Sequence, residues 1–178
     1  MRSLRLLLVG LTAALFVGSI PSLFAQFDPL SFKDQAIVDK RWPNAKKTIT
    51  GLRYVITQEG HGAPAQPGDV VSVIYRGMLL DGTVFNEFLD PTKPFTFRLG
   101  RGQVIDGWDQ GLRFMNEGCK MVLIVPYELG YGTLGNPPAV PRKSTLVFEI
   151  QMLKIQREAP PPPLPPEPKK KKHWWQHF

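Results

Sequence analysis

Residues 95–115 decide the fold and read Phe-Thr-Phe-Arg-Leu-Gly-Arg-Gly-Gln-Val-Ile-Asp-Gly-Trp-Asp-Gln-Gly-Leu-Arg-Phe-Met. In the first part apolar Phe95, Phe97 and Leu99 alternate with polar residues, which is the period-2 pattern of a β-strand with one buried face. Gly100 and Gly102 follow, and glycine adopts backbone angles that interrupt a strand. We therefore predict a strand that ends at these glycines.

Beyond the glycines the apolar spacing becomes helical. The residues at i, i+3, i+4 and i+7 of one helix face are Trp108, Gly111, Leu112 and Met115. The opposite face is polar, so this short helix is predicted to lie on a sheet with one side in water. Trp108 lies at the start of this helix, where we expect its ring to form the floor of a cavity. Phe97 and Leu112 we assign to the core.

Four further segments carry strand patterns. They are residues 52–57, 70–80, 122–125 and 144–153. In the second of them Val71, Val73 and Tyr75 share one face by alternation. An Asp81-Gly82 turn signal follows it, because this dipeptide tolerates positive φ angles. We place the start of the folded domain near residue 48 and its end at residue 157.

The charge of the chain is concentrated at its two ends. The chain has 178 residues and a formal net charge of +7. Arg2 and Arg5 supply two of these charges, and residues 167–172 supply three, so the part between is nearly neutral. A basic nucleic-acid-binding face is therefore not expected.

Residues 1–25 have the pattern of a secretory signal peptide. Arg2 and Arg5 form a positive start, and residues 6–17 form an apolar run. That run is short for a membrane span, which needs about 20 residues. We predict cleavage after Ala25 and export to the periplasm or the exterior of a bacterial cell. An uncleaved anchor is the alternative.

The sequence contains few candidate residues for metal binding or redox chemistry. Cys119 is the only cysteine, so it cannot form an intramolecular disulfide, and we interpret it as a buried strand residue. His61 lies between glycines and is interpreted as an exposed loop residue. His173 and His177 have helical spacing but no third ligand nearby, so no metal site is predicted.

The segments outside the predicted domain differ in character. Residues 26–47 have weak periodicity and are interpreted as a spacer with a short helix over residues 31–40. Residues 158–178 begin with a proline run that favours polyproline II, at ~3.1 Å per residue. The tail ends with a cationic and aromatic cluster that predicts weak membrane-surface contact, a solvated tail being the alternative. That cluster contains Lys169, Lys170, Lys171, Lys172, Trp174 and Trp175.

Several blocks of the chain resemble FKBP-type peptidyl-prolyl cis-trans isomerases. The block Gly-Gln-Val-Ile-Asp-Gly-Trp-Asp-Gln-Gly-Leu at 102–112 is similar to the central signature of that family. The block at 73–86, Val-Ile-Tyr-Arg-Gly-Met-Leu-Leu-Asp-Gly-Thr-Val-Phe-Asn, and the loop Tyr-Glu-Leu-Gly-Tyr-Gly at 127–132 also match. The resemblance implies an α+β fold, in which an antiparallel sheet curls around one short helix.

The resemblance also implies an activity and a site. The activity is rotation of X-Pro bonds in exported proteins within a dry aromatic pocket, with no cofactor and with macrolides as inhibitors. The implied catalytic residues are Tyr75, Phe85, Asn86, Trp108, Tyr131 and Phe148. The implied substrate-binding residues are Phe95, Val104, Ile105, Ala139 and Val140, with the Ile105 N–H and the Tyr131 hydroxyl holding substrate carbonyls.

One departure from the family leaves two functions open. The family usually has an aspartate directly after the phenylalanine, and this chain has Asn86 there. Asparagine keeps the size but loses the charge and adds a donor. The leading hypothesis is a prolyl isomerase, and the alternative is a module that binds proline segments or acts as a chaperone with little turnover.

Overall fold

The computed structural model describes residues 28–157. The predicted signal peptide, and the predicted tail with its lysine and tryptophan cluster, lie outside the described residues. The helices are α1 (Phe32–Arg41) and α2 (Asp106–Gly111), with short 3-10 helices at Leu112–Phe114 and Tyr127–Leu129. The strands are β1 (Lys46–Lys47), β2 (Arg53–Gln58), β3 (Val70–Leu79), β4 (Val84–Phe88), β5 (Phe95–Arg98), β6 (Lys120–Val125) and β7 (Leu146–Gln156).

The strands form one antiparallel sheet of seven members in the order β1-β2-β6-β7-β3-β4, with β5 also paired to β3. Strand β3 pairs with β7 along its whole length, while β5 and β4 share its other edge, one after the other. On β3 the side chains of Val71, Val73 and Tyr75 are buried, as alternation predicted. The predicted α+β fold with an antiparallel sheet is confirmed.

Helix α2 packs on the inner face of the sheet at close range. A Cβ atom on Gly111 would lie 2.6 Å from Cδ1 of Leu123, and one on Gly107 would lie 2.5 Å from Cγ1 of Val125. The two glycines therefore let the helix backbone lie directly on β6. Trp108, Leu112 and Met115 are all buried on this face, which confirms the predicted apolar helix face.

The loop between β5 and α2 is fixed by one carboxylate. Gly100 and Gly102 have φ angles of 73° and 64°, which agrees with the predicted strand break. Their backbone N–H groups donate to Oδ1 and Oδ2 of Asp109 over 2.8 and 3.0 Å. Because Asp109 belongs to α2, these bonds fix the loop relative to the helix.

Helix α1 packs on the outer face of the same sheet. Its Val38 is buried against Ile124 and Val147, whose neighbours in sequence face the inner core. Ser31 caps the helix by accepting a hydrogen bond of 3.1 Å from the Asp34 N–H. The short helix predicted over residues 31–40 is therefore present, and it packs on the domain predicted to begin at residue 48.

Two strands were not predicted from the sequence. Strand β1 has two exposed residues, and β4 is mostly exposed at the edge of the sheet, so neither has a buried face to produce a periodic pattern. Cys119 is buried, as interpreted, but it lies directly before β6 and not within a strand. The His61 side chain is 80% exposed, which confirms its interpretation as an exposed residue. Within residues 28–157 no helix is long and apolar enough to cross a membrane.

Candidate functional site

An aromatic cavity of about 350 Å³ lies between α2 and the sheet. Its lining comes from strands β3, β4, β5 and β7, from the start of α2, from the loop before α2 and from the connection between β6 and β7. The lining residues are Tyr75, Phe85, Asn86, Phe95, Gly102, Gln103, Val104, Ile105, Trp108, Tyr131 and Phe148. Nine of the predicted site residues are thus brought together around one space.

Trp108 is deeply buried in this lining, with 3% of its surface exposed. Its ring meets the Tyr75 ring edge-on at a centroid distance of 4.8 Å and the Phe148 ring edge-on at 5.3 Å. Edge-to-face contacts of this kind stabilise aromatic clusters and fix ring orientation. Trp108 is therefore held in place by its neighbours, as a rigid floor requires.

The wall formed by Phe85 and Phe148 depends on a glycine in β3. The two rings meet edge-on with centroids 5.7 Å apart. A Cβ atom on Gly77 would lie 2.8 Å from Cζ of Phe85 and 2.9 Å from Cε1 of Phe148. The absence of a side chain at Gly77 is what lets both rings lie over the strand. Tyr131 extends this wall at the exposed rim, 6.4 Å from the Phe85 ring.

Tyr75 and Asn86 form a polar pair in the lining. The Tyr75 hydroxyl donates a hydrogen bond of 2.8 Å to Oδ1 of Asn86. Burial, together with the nearby Tyr131, raises the pKa of Tyr75 to about 12 from its ordinary 10.0. Tyr75 is consequently a neutral donor throughout the physiological pH range.

The cavity offers dipoles but no charge. Every residue that lines it within residues 28–157 is uncharged. Ile105 is the N-cap of α2 with φ and ψ of −61° and 150°, so the first helical N–H groups begin at the cavity. Such a site binds an apolar ring and orients polar groups through hydrogen bonds.

Two predicted substrate-binding residues do not line the cavity. Val140 is buried within the hydrophobic core, and Ala139 is exposed in the same loop. Val140 and Asn136 exchange backbone hydrogen bonds of 2.9 Å, a pairing that turns the loop and directs Val140 inward. Phe97 and Leu112 are both buried, which confirms their assignment to the core.

Sequence reasoning missed two lining residues, Gly102 and Gln103. Oε1 of Gln103 accepts a hydrogen bond of 2.8 Å from the Arg98 N–H, which holds this side chain against the end of β5. Their position in the sequence could have identified them as lining residues, because both belong to the 102–112 block that also contains Val104, Ile105 and Trp108.

This fold and site have counterparts among known proteins. The sequence profile of the FKBP-type peptidyl-prolyl cis-trans isomerase family matches residues 62–153. The peptidyl-prolyl cis-trans isomerase FKBP2 of Mus musculus is 53% identical over 95 residues, which cover 53% of this chain and 68% of that protein. An FK506-binding protein of Neisseria meningitidis serogroup B is 46% identical over 105 residues, covering 59% and 96%. The crystal structure of FkpA from Escherichia coli superposes with a TM-score of 0.62 at 35% identity, covering 69% of this chain and 57% of FkpA.

The profile match covers more than half of the 178 residues, and the relatives are matched over most of their own length. The chain therefore belongs to the FKBP-type family, and it is a peptidyl-prolyl cis-trans isomerase. The family predicted from the sequence blocks is confirmed.

Proposed function

We propose that the chain accelerates rotation about X-Pro bonds of exported polypeptides inside the aromatic cavity. The observation that carries this proposal is the uncharged aromatic lining around a rigidly held Trp108. A proline ring is a small apolar ligand that suits a cavity of about 350 Å³.

The chemistry required is the removal of amide resonance. The barrier to rotation about a peptide C–N bond is ~18–20 kcal/mol because the planar amide has partial double-bond character. When the bond twists, the amide loses resonance and becomes less polar. An uncharged cavity therefore binds the twisted amide better than the planar one, and this difference in binding lowers the barrier. No nucleophile and no proton transfer are needed.

Each lining residue has a role that follows from its position in the cavity. The buried Trp108 ring lies beneath the substrate proline, with Phe85 and Phe148 as walls. The Ile105 N–H and the Tyr131 hydroxyl hold substrate carbonyls on either side of the rotating bond. Asn86 lies near that bond and also accepts the hydrogen bond from Tyr75. Phe95 and Val104 complete the apolar contact surface.

Macrolides are the proposed inhibitors of this site. A relative of this chain is named an FK506-binding protein, and it is matched over 96% of its length. A ligand with a proline-like ring would occupy the same cavity as the substrate and exclude it. Inhibition by FK506 is therefore expected to be competitive with peptide.

Export and membrane contact are proposed from the two ends of the chain. Arg2, Arg5 and the apolar run that follows support secretion, with cleavage after Ala25. The cluster around Lys169 to Trp175 supports weak contact with anionic lipid, because charge attraction and interfacial aromatics act together. N-terminal sequencing of secreted protein tests the first proposal. Sedimentation with anionic liposomes, with and without residues 159–178, tests the second, and equal partitioning would contradict it.

The activity on protein clients is tested with a refolding reaction limited by proline isomerisation. Uncatalysed isomerisation takes tens to hundreds of seconds or so, which makes acceleration easy to resolve. The chain is expected to speed this phase, and Trp108→Leu is expected to abolish the effect. Trp42→Leu is the matched control, because Trp42 packs on the outer face of the sheet. Equal rates for the two variants would contradict a role for the cavity.

A further inference from the structure

A second groove lies outside the aromatic cavity, and we call it the lateral groove. It is defined by Ile49, Tyr54, Pro64, Pro67, Gln110 and Phe114, and its volume is about 910 Å³. It shares no lining residue with the aromatic cavity. The isomerase mechanism makes no use of it.

The lateral groove exposes aromatic and apolar surface. The rings of Tyr54 and Phe114 stack at a centroid distance of 4.5 Å and an interplanar angle of 7°. Phe114 is 40% exposed and Ile49 is fully exposed. Grooves lined by aromatic side chains are the surfaces on which polyproline II segments dock.

The groove also carries donors for backbone carbonyls. Polyproline II has no internal hydrogen bonds, so its carbonyl groups can accept hydrogen bonds from donors outside the helix. Gln110 crosses the groove and accepts a hydrogen bond of 2.8 Å from the Thr50 hydroxyl through Oε1, which holds its amide in place. The amide nitrogen of Gln110 and the exposed guanidinium of Arg113 are donors of the required kind.

The chain leaves the described fold beside this groove. Nη2 of Arg157 donates a hydrogen bond of 2.9 Å to the backbone oxygen of Pro64, which is a groove residue. Nε of the same side chain lies 3.6 Å from Oδ2 of Asp69. By contrast, Phe148 of the aromatic cavity precedes Arg157 by about 30 Å of extended strand, at ~3.3 Å per residue.

The next segment of the sequence has the chemistry that the groove fits. Residues 159–168 read Ala-Pro-Pro-Pro-Pro-Leu-Pro-Pro-Glu-Pro and start two residues after Arg157. Because the segment is tethered so close, its effective concentration at the groove is in the mM range. A weak intrinsic affinity is therefore enough to keep the groove occupied.

We propose that residues 159–168 dock as a polyproline II helix in the lateral groove of their own chain. The docked segment covers Tyr54 and Phe114 and fixes the direction in which the basic end of the tail leaves the domain. The aromatic cavity stays free for substrate. This proposal does not depend on isomerase turnover.

The test compares amide NMR spectra of the full 178-residue chain and of a variant with Pro161, Pro163 and Pro165 changed to serine. The variant keeps the tail length and every groove residue. We expect shifts for the amides of Tyr54, Gln110 and Phe114. The amides of Asn86, Ile105 and Tyr131, which report on the aromatic cavity, are expected to keep their positions.

A variant on the groove side checks the same contact from the other partner. Phe114→Ser should shift the amide of Leu164 within the proline run, while Leu134→Ser, at another exposed apolar residue, should leave it in place. Unchanged groove amides in the proline variant would overturn the proposal, even if Phe114→Ser failed to fold. Movement of the cavity amides alone would place the tail in the isomerase site. Groove shifts that vanish on dilution would show docking between chains instead of within one.

Discussion

The Tyr75 hydroxyl donates a 2.8 Å hydrogen bond to Oδ1 of Asn86 inside the aromatic cavity. Tyr75 is nearly buried, and its ring also contacts Trp108 and Phe95 edge-on. The pair therefore links the strand that carries Asn86 to the floor of the cavity. An oxygen acceptor at position 86 is what the arrangement needs, and either an amide or a carboxylate supplies one.

Two replacements of Asn86 distinguish the effect of its hydrogen-bond acceptor from the effect of a negative charge at this position. Asn86→Leu leaves the Tyr75 hydroxyl without its acceptor, which costs ~1 kcal/mol or more and should lower kcat/KM by about fivefold to tenfold. Asn86→Asp keeps the acceptor, so its kcat/KM should stay within about threefold of the parent on the same energetic scale. Both are measured with one Leu-Pro peptide. A gain of more than about tenfold in Asn86→Asp, or ~1.4 kcal/mol, would favour the proline-binding module over an efficient enzyme.

Gly77→Ala should distort the wall of the aromatic cavity that Phe85 and Phe148 form. The added Cβ would lie within 2.9 Å of both the Phe85 and the Phe148 rings, so one ring or the strand must move. Overpacking of this kind costs ~1–3 kcal/mol of unfolding free energy, and kcat/KM should fall with it. The control is the same change in a Phe85→Leu background, where part of the clash is relieved. If both backgrounds lose the same unfolding free energy, the Phe85 contact is not the cause.

The stability of the protein should depend on Tyr75 at alkaline pH. Burial holds the pKa of Tyr75 at about 12 in the folded state, against 10.0 ordinarily. The unfolded chain loses this proton first as the pH rises, so the stabilisation is complete below pH 10 and is lost between 10 and 12. Relative to Tyr75→Phe, the parent should lose up to ~1.4 kcal/mol of unfolding free energy per pH unit in that window. Parallel pH profiles for the two proteins would contradict the buried phenol.

Arg53 should hold α1 on the outer face of the sheet. Its buried guanidinium pairs with Asp28 at 2.7 Å and with Asp39 of α1. Arg53→Met should cost ~2–4 kcal/mol of unfolding free energy, because it leaves Asp28 largely buried with fewer partners. The exposed pair of Arg76 and Glu87 is the control, and Arg76→Ala should cost less than ~1 kcal/mol. Isomerase activity should survive in both variants, because α1 lies on the face opposite the cavity.

The cost of Arg53→Met should shrink in acid. Burial acts to raise the pKa of Asp28, but hydrogen bonds from Lys47 and Arg53 outweigh it and lower the pKa below its ordinary 3.8. The stabilisation is therefore present above pH 3.8 and is lost as the pH falls below that value. Unfolding free energies of the parent and Arg53→Met should converge there. A constant difference across this pH range would show that the ion pair is not what stabilises α1.

Much of the fold could be predicted because its burial is periodic. Strands β3 and β7 and the face of α2 each carry an apolar repeat with the spacing of a strand or a helix, while β2 and β6 are short segments rich in apolar residues. The packing of α1 could not be predicted in this way. It depends on Arg53, a charged residue buried in β2, finding carboxylates 14 and 25 positions away in the sequence.

In the candidate site, too, the residues on regular elements could be predicted from the sequence, and some of those in loops could not. Residues on regular elements, such as Tyr75, Trp108 and Phe148, follow from the matched blocks and fall on the cavity. Ala139 and Val140 lie in a loop whose direction is set by the backbone pairing of Asn136 with Val140, and spacing alone does not encode that turn. Gln103 escaped notice because its position depends on a single hydrogen bond to β5.

The most direct test of a catalytic aromatic cavity is a protease-coupled cis-to-trans relaxation assay. A short peptide with a Leu-Pro or Phe-Pro bond is followed with the protein alone, with FK506, and with Trp108→Leu. We expect the parent to accelerate relaxation, FK506 to remove the acceleration, and Trp108→Leu to lack it. A folded parent that leaves the uncatalysed rate unchanged would contradict catalysis and leave a proline-binding module.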